Sequence, residues 1–289
     1  MSLLQASSHA KCILSGEHSI LYKAPAAALI LKNFKLHYSE NCDGKSQELL
    51  INNENAAPLY KDILLKIRKS LKIADEWEKI HIQTNIPISS GLGSSAAFCN
   101  ALVKAHFNKS QHQLELISQA ENIIHGQSSG LDPTCIHQEK SIVYLKNHEH
   151  RSLKTQNFKD SKFSFFLTNS EEKRQSQESI LKTQEKSKKE LEPLSLLSET
   201  AITSFEEELH HLAESMNAIH LKLEELEKSS LKIEKIRKEL LESGALAVKI
   251  TGAGNGGHLL GLCSRDSTFY KHNSLHSQEK ILFIDSQTI

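Results

Sequence analysis

Pro87-Ile88-Ser89-Ser90-Gly91-Leu92-Gly93-Ser94-Ser95-Ala96-Ala97 is the stretch on which the fold turns. Ile80-His81-Ile82-Gln83 reads as a strand entering it, and Ala96 to His106 reads as a helix leaving it. The two glycines let the backbone fold tightly, so that successive N–H groups can converge on an anion, and the following helix adds its positive N-terminal end. Ser94 and Ser95 bring hydroxyls to that terminus, suited to a phosphate oxygen or to Mg²⁺. The stretch has no G-K-[ST] and is not G-x-G-x-x-G, so neither common nucleotide fingerprint applies. The same residues also permit a plainer reading, a serine N-cap after a tight turn.

Working outward, glycine is used sparingly. The chain of 289 residues has only 12, and eight of them fall in three short stretches: Gly91 and Gly93; Gly126 and Gly130; and Gly252, Gly254, Gly256 and Gly257. Glycine serves where φ must be positive or where something approaches the backbone closely. Around the second stretch, Glu121 is followed by His125-Gly126-Gln127-Ser128-Ser129-Gly130-Leu131-Asp132-Pro133. A carboxylate in a loop of small residues can reach a substrate hydroxyl, and a second carboxylate nearby can hold a metal; Asp132 also reads simply as a turn residue before Pro133. The third, Lys249-Ile250-Thr251-Gly252-Ala253-Gly254-Asn255-Gly256-Gly257-His258, is too long for a hairpin turn and implies close approach to a ligand or to another loop. A fourth segment, Lys11 then Ser15-Gly16-Glu17-His18, would deliver charge to one end of a sheet, although a single lysine is ordinarily solvent-facing.

Around these loops the chain reads as mixed α/β. Strands are expected at Lys11 to Leu14, Ala26 to Leu31, Lys35 to Tyr38, Ser141 to Leu145, Phe163 to Leu167, Ala247 to Ile250 and Leu259 to Cys263. Helices are expected through Tyr60 to Leu71 and Leu114 to His125. The polar run from Asn147 to Gln156 marks a boundary between domains 1–150 and 151–289. A Glu/Lys/Ser-rich helical stretch runs from about Gln175 to Ser243. Within it Ile202, Phe205, Leu209, Leu212, Met216, Ile219, Leu223 and Leu226 keep a/d spacing. That spacing allows a coiled coil, but the flanking charges do not support one, and a long amphipathic helix laid on a sheet is preferred.

Composition removes whole classes of function. Thirty-five basic and 35 acidic residues cancel, so no long-range field recruits nucleic acid or an anionic membrane. No apolar run approaches the ~20 residues of a membrane-spanning helix, and no secretory signal is readable after Met1. Five scattered cysteines without a C-x-x-C pair argue against a disulfide framework and a zinc ribbon, and favour a reducing cytoplasm. Most of the 16 histidines are expected on the surface.

Five segments in this order resemble the GHMP kinase superfamily, and within it the mevalonate kinase family. Ala10 to Tyr22 is similar to the first motif, Pro87 to Ala97 to the phosphate loop, His125 to Asp132 to the stretch with the catalytic aspartate, and Lys249 to Gly257 to the third motif. Leu167-Thr168-Asn169-Ser170 with Arg174 and Ser176 resembles a further segment. Departures are Lys23, Ser128, Asn255 and His258, the last standing where a cysteine is frequent, and a Gly-Val-Ser absent around Ser229-Ser230. The resemblance implies a two-domain α/β fold with the active site in the cleft between the halves. ATP phosphates would lie on Ser89, Ser90, Gly91, Leu92, Gly93, Ser94, Ser95 and Ala96, with the glycine loop Gly252, Ala253 and Gly254 close by. Ser95 and Glu121 would hold Mg²⁺. Asp132 and Lys11 would be catalytic, while Glu17, His18, Arg174 and Ser176 would contact or orient the substrate. The implied reaction is ATP-dependent phosphorylation of the 5-hydroxyl of mevalonate in isoprenoid biosynthesis, by a homodimer without nucleic-acid or membrane partners. Phosphomevalonate kinase and mevalonate 3-kinase activities remain open, as does a non-catalytic coiled-coil role. A galactokinase would read Thr-Asp-Tyr after Gly16-Glu17-His18, where this chain has Ser19-Ile20-Leu21. Glu17-His18 speaks against a mevalonate diphosphate decarboxylase.

Overall fold

The structure, a computed structural model, describes residues 3–18, 20, 24–42, 47–146, 149–172, 188–275 and 281–289. The chain divides into two compact units. The first takes Met1–Ala10, Lys32–Ile88 and Gly93–Glu139; the second takes Lys11–Leu31, Ser89–Leu92 and Lys140–Ile289. Two strands change unit partway along: β1 (Leu3–Ser15) after Ala10, and β2 (Ala26–Asn41) after Leu31. The two runs expected at Ala26 to Leu31 and Lys35 to Tyr38 are thus one continuous strand.

In the first unit, β2 pairs antiparallel with β5 (Lys79–Thr84), from Leu36 opposite Thr84 to Asn41 opposite Lys79. On the far side of β5 lies β3 (Glu48–Ile51), parallel to it, and the short β4 (Glu54–Asn55) closes a hairpin with β3. Four helices complete the unit: α1 (Pro58–Ser70), α2 (Ser94–His106), α3 (Gln113–His125) and α4 (Leu131–Gln138). Helix α3 packs against α1, α2 and α4. The stripe read from Tyr60 onward is a core face, with Leu64 and Ile67 buried.

This unit also buries charge. Glu40 on β2 and Arg68 on α1 are each 1% exposed, and one guanidinium nitrogen, Nη1, lies 3.0 Å from both carboxylate oxygens. Tyr38 Oη donates to Glu40, as does His106 Nε2 at 2.7 Å, and the other terminal nitrogen of Arg68 donates to the Ala74 carbonyl. Burial alone would raise the Glu40 pKa. The hydrogen bonds from His106, Arg68 and Tyr38 outweigh it and hold the carboxyl at about 2.

In the second unit, β2 pairs with β6 (Ile142–Lys146), Ala26 opposite Tyr144, and β6 pairs with β7 (Glu149–Ser152). A separate four-stranded antiparallel sheet runs in the order β11-β8-β10-β9, made of Leu282–Phe283, Phe163–Asn169, His258–Ser264 and Ala247–Ile250. Strand β8 is buried on both faces, and aromatic rings meet it on each. Phe165 stacks with Phe158 of α5 (Gln156–Asp160), whose ring also stacks on Phe205; Phe166 meets Phe269 and Phe283. Gly261 faces Phe166 across the ladder, and a Cβ there would lie only 2.0 Å from the Cζ of its ring.

The a/d run does not form one long helix. It divides between α6 (Lys188–Glu206) and α7 (Leu212–Glu225), joined through a 3₁₀ turn at Leu209–His211. The Glu206 carbonyl accepts from Asn157 Nδ2 at 2.6 Å, and its carboxylate takes Arg151 and the Lys154 N–H. The helical bonds run on to the Glu207 and Glu208 N–H groups, and Asn157 satisfies one of the carbonyls that the helix end leaves without a partner. The apolar positions then pack α6 on α7 within the unit's own core, where Ile202, Phe205, Leu212, Met216, Ile219, Leu223 and Leu226 are all buried. The coiled-coil reading is therefore set aside. Helix α8 (Leu231–Glu242), capped by Ser230 Oγ accepting from the Ile233 N–H, and α9 (Thr268–Leu275) complete the unit. Among the described residues no helix is long and apolar enough to cross a membrane.

Arg68→Met leaves Glu40 buried with its main counter-charge gone. The expected cost is about 3–5 kcal/mol of stability, read by urea unfolding. A loss under about 1 kcal/mol would mean that the pair is not what holds β2 to α1.

Candidate functional site

The phosphate-loop candidate starts in the second unit and ends in the first, the change falling between Leu92 and Gly93. Ser89, Gly91 and Gly93 all take positive φ, at 57°, 89° and 77°. Three successive carbonyls of the loop are engaged by donors: Ser90 by the backbone N–H of His258 at 2.9 Å, Gly91 by Lys11 Nζ at 3.2 Å, and Leu92 by the Lys11 N–H at 3.0 Å. Lys11 is 1% exposed, so the solvent-facing reading of this lysine fails. Helix α2 begins with Gly93 as N-cap in the left-handed region, with no side-chain cap. The serine-cap reading fails with it, since Ser94 and Ser95 are the first two residues of the helix. A helix start without a side-chain cap keeps N–H donors for an outside acceptor, and this one suits an anion.

In the first unit Ser95, Glu121 and His125 come together. Ser95 Oγ lies 2.8 Å from His125 Nε2, which is 3.9 Å from Glu121 Oε1, one helical turn back on α3. Glu121 is 3% exposed. A hydroxyl and a buried carboxylate are hard oxygen donors of the kind Mg²⁺ takes, so this pair fits the cation implied by the sequence. The sequence gives His125 no role of its own; its place between the two oxygens is visible only once α3 is wound against the start of α2.

Asp132 sits in the first turn of α4, after Gly130 in the left-handed region. Of the two readings of Asp132, that of a turn residue fails, because Pro133 is accommodated in the first helical turn, where no intrahelical N–H bond is needed. The preceding loop is tied down by Asn122 Oδ1, which accepts from the Ser128 N–H at 2.8 Å, and by Ser128 Oγ, which accepts from the Gly130 N–H at 3.3 Å.

In the second unit Glu17 and His18 follow the end of β1. Glu17 pairs with Lys249 of β9, both side chains fully buried, and the ammonium also donates to the carbonyls of Ile250 at 2.7 Å and Ile13 at 3.4 Å. Glu17 Oε2 is buried without a hydrogen-bond partner among the described residues. The sequence assigns Lys249 no role, because nothing in a lysine on a strand announces a buried ion pair. His18 takes φ 61°, and its Nε2 donates to the Ala253 carbonyl at 2.9 Å. Arg174 and Ser176 lie outside the described residues.

The glycine loop approaches other backbone, one of the two options its sequence leaves open. A Cβ on Gly257 would meet the Ser90 oxygen at 2.6 Å, and one on Gly254 the Lys228 oxygen at 2.5 Å. The Asn255 N–H bonds to Lys228 O at 2.8 Å and the Gly257 N–H to Glu172 O at 3.2 Å. Thr251 Oγ1 accepts from the Ile13 N–H at 2.7 Å and donates to its carbonyl at 3.1 Å. Just before the loop, buried His220 on α7 accepts the Ile250 N–H on Nδ1 at 3.3 Å and donates from Nε2 to Glu234 at 2.8 Å. Burial and the Arg237 cation push its pKa down to about 4 against the pull of Glu234, which keeps the accepting nitrogen unprotonated near neutral pH.

Residues 59–139 match the model of the GHMP kinases N terminal domain, and residues 194–271 match GHMP kinases C terminal. A mevalonate kinase of Pyrococcus abyssi is 27% identical, with 90% of this chain and 88% of that protein covered. The crystal structure of the Methanococcus jannaschii mevalonate kinase superposes with a TM-score of 0.76 at 21% identity, covering 98% of each chain. That of L. major mevalonate kinase in complex with R-mevalonate gives 0.73 at 19%, over 95% of this chain and 91% of that one. With both domain models met in their order along one polypeptide, and full-length likeness in sequence and fold alike, this chain belongs to the GHMP kinase family.

Proposed function

We propose that this chain transfers the terminal phosphoryl group of ATP to the 5-hydroxyl of mevalonate, giving 5-phosphomevalonate for isoprenoid synthesis. The observation that carries the substrate is the alignment with the P. abyssi mevalonate kinase, which runs along nine-tenths of this chain. Fold likeness near 20% identity supports the kinase architecture and leaves the alcohol unassigned. The free thiols of all five cysteines suit a reducing cytoplasm, and the family resemblance supports a homodimer.

Phosphoryl transfer passes through a loose transition state, so a protein contributes mainly position and charge. On this reading the N–H groups of residues 91–96 receive the phosphates of ATP, and Lys11 supplies fixed positive charge to the transferring group. Mg²⁺, when bound, neutralises charge on the phosphate oxygens. Ser95 Oγ and the Glu121 carboxylate would hold it, with the Ser95 hydroxyl exchanging its His125 partner for the cation. Asp132 orients the attacking hydroxyl and accepts its proton. His18 contacts the substrate together with Arg174 and Ser176. Glu17, held by Lys249, orients the turn that presents His18.

ADP release with Mg·ATP against mevalonate, 5-phosphomevalonate, galactose and homoserine tests the assignment. Turnover confined to mevalonate is expected, and turnover on another alcohol alone reassigns the substrate. Asp132→Asn is expected to lower kcat by ~10²–10⁴-fold, the range of a lost general base; near wild-type turnover in the folded variant would remove that role. Ser95→Ala is expected to raise the Mg²⁺ concentration needed for half-maximal rate, and an unchanged Mg²⁺ dependence would exclude it as a ligand.

A further inference from the structure

His258 stands at the start of β10, opposite Asn169 of β8, and is 3% exposed. It reaches the carbonyl oxygen of Ser90 twice, through its backbone N–H at 2.9 Å and through ring Nδ1 at 3.1 Å. A carbonyl oxygen only accepts, so the second contact fixes the tautomer: Nδ1 carries the hydrogen and Nε2 the lone pair. Burial lowers the pKa of this ring, which keeps it neutral. The backbone beside it is fixed as well. The Gly257 carbonyl accepts from the Ser170 N–H at 2.9 Å, and Gly257 has no room for a side chain against the Ser90 oxygen.

The planar trans peptide turns these contacts into an orientation. When the carbonyl of one residue is held on one side, the N–H of the next residue points the opposite way. Holding the carbonyls of Ser90, Gly91 and Leu92 therefore turns the N–H groups of Gly91, Leu92 and Gly93 away from His258 and Lys11. Lys11 secures the second and third of these peptides. His258 secures the first, its imidazole doubling a bond that its backbone N–H makes singly.

We propose that the His258 imidazole is a positioning residue of the phosphate loop, fixing the Ser90–Gly91 peptide so that its N–H is presented to the phosphates of ATP. This rests on the reading of residues 89–96 as the ATP phosphate site. The amide of asparagine carries an N–H where the imidazole carries Nδ1, so Asn at 258 keeps the bond while Leu removes it and preserves apolar bulk.

The test compares wild type, His258→Leu and His258→Asn by titration calorimetry with Mg·ATP and by steady-state kinetics. Removing one neutral hydrogen bond is expected to weaken Mg·ATP binding about 3- to 10-fold in the Leu variant. The KM for ATP should rise in proportion, with kcat and the KM for the alcohol within about 2-fold, and the Asn variant should return to near wild-type values. In nucleotide-free protein, amide exchange of residues 90–92 should quicken in the Leu variant and not in the Asn variant. Wild-type affinity and unchanged exchange in the Leu variant overturn the proposal while leaving the kinase reading intact. Absence of Mg·ATP binding already in the wild-type protein overturns the kinase reading, and the exchange measurement then still decides whether His258 pins the loop. Should the Leu variant fail to fold, His258→Phe takes its place with the same expectations.

Discussion

A single missing carbon atom governs the arrangement of the second unit's loops. With any side chain at Gly257, the third-motif loop could not lie on the Ser90 carbonyl, and the two hydrogen bonds from His258 would be lost with it. The same loop lies as close to Lys228 through Gly254. Sparing use of glycine elsewhere is the other side of this constraint. In this loop Gly254, Gly256 and Gly257 each stand where backbone meets backbone, against Lys228, Glu172 and Ser90.

Charge burial does comparable work at the opposite end of the same loop. Glu17 and Lys249 are both removed from water, and neither would be tolerated there without the other. The pair ties the turn after β1 to strand β9, while Thr251 ties the same two segments through both backbone groups of Ile13. His18 is thus placed by an ion pair one residue before it and by the Ala253 carbonyl on the glycine loop. A buried pair of this kind serves geometry more than stability, because desolvation offsets most of its attraction.

Much of this is legible in the sequence because it is carried by local pattern. The strand-to-helix passage at Pro87 to Ala97, the helical stripe from Tyr60 and the strands bracketing the glycine loop correspond to β5, α1, α2, β9 and β10. What is not legible depends on partners distant in the chain. Asp132 reads as a turn residue because Pro133 usually marks one, and only the folded loop shows α4 starting there. The a/d run through Leu226 reads as one helix because periodicity does not report the 3₁₀ turn at Leu209–His211 that divides it. Lys11, Lys249 and His125 give no sign of burial or of their neighbours, since a lone lysine or histidine reads the same on a surface and in a core.

The position of the transferred phosphate separates this activity from its nearest alternatives. Phosphorus NMR of the product from Mg·ATP and mevalonate decides it, because the 5-oxygen is attached to a methylene group and the 3-oxygen to a carbon without hydrogen. A phosphomonoester signal split into a triplet by two neighbouring protons is the predicted result. An unsplit ester signal, or ADP and inorganic phosphate with no ester, would contradict it.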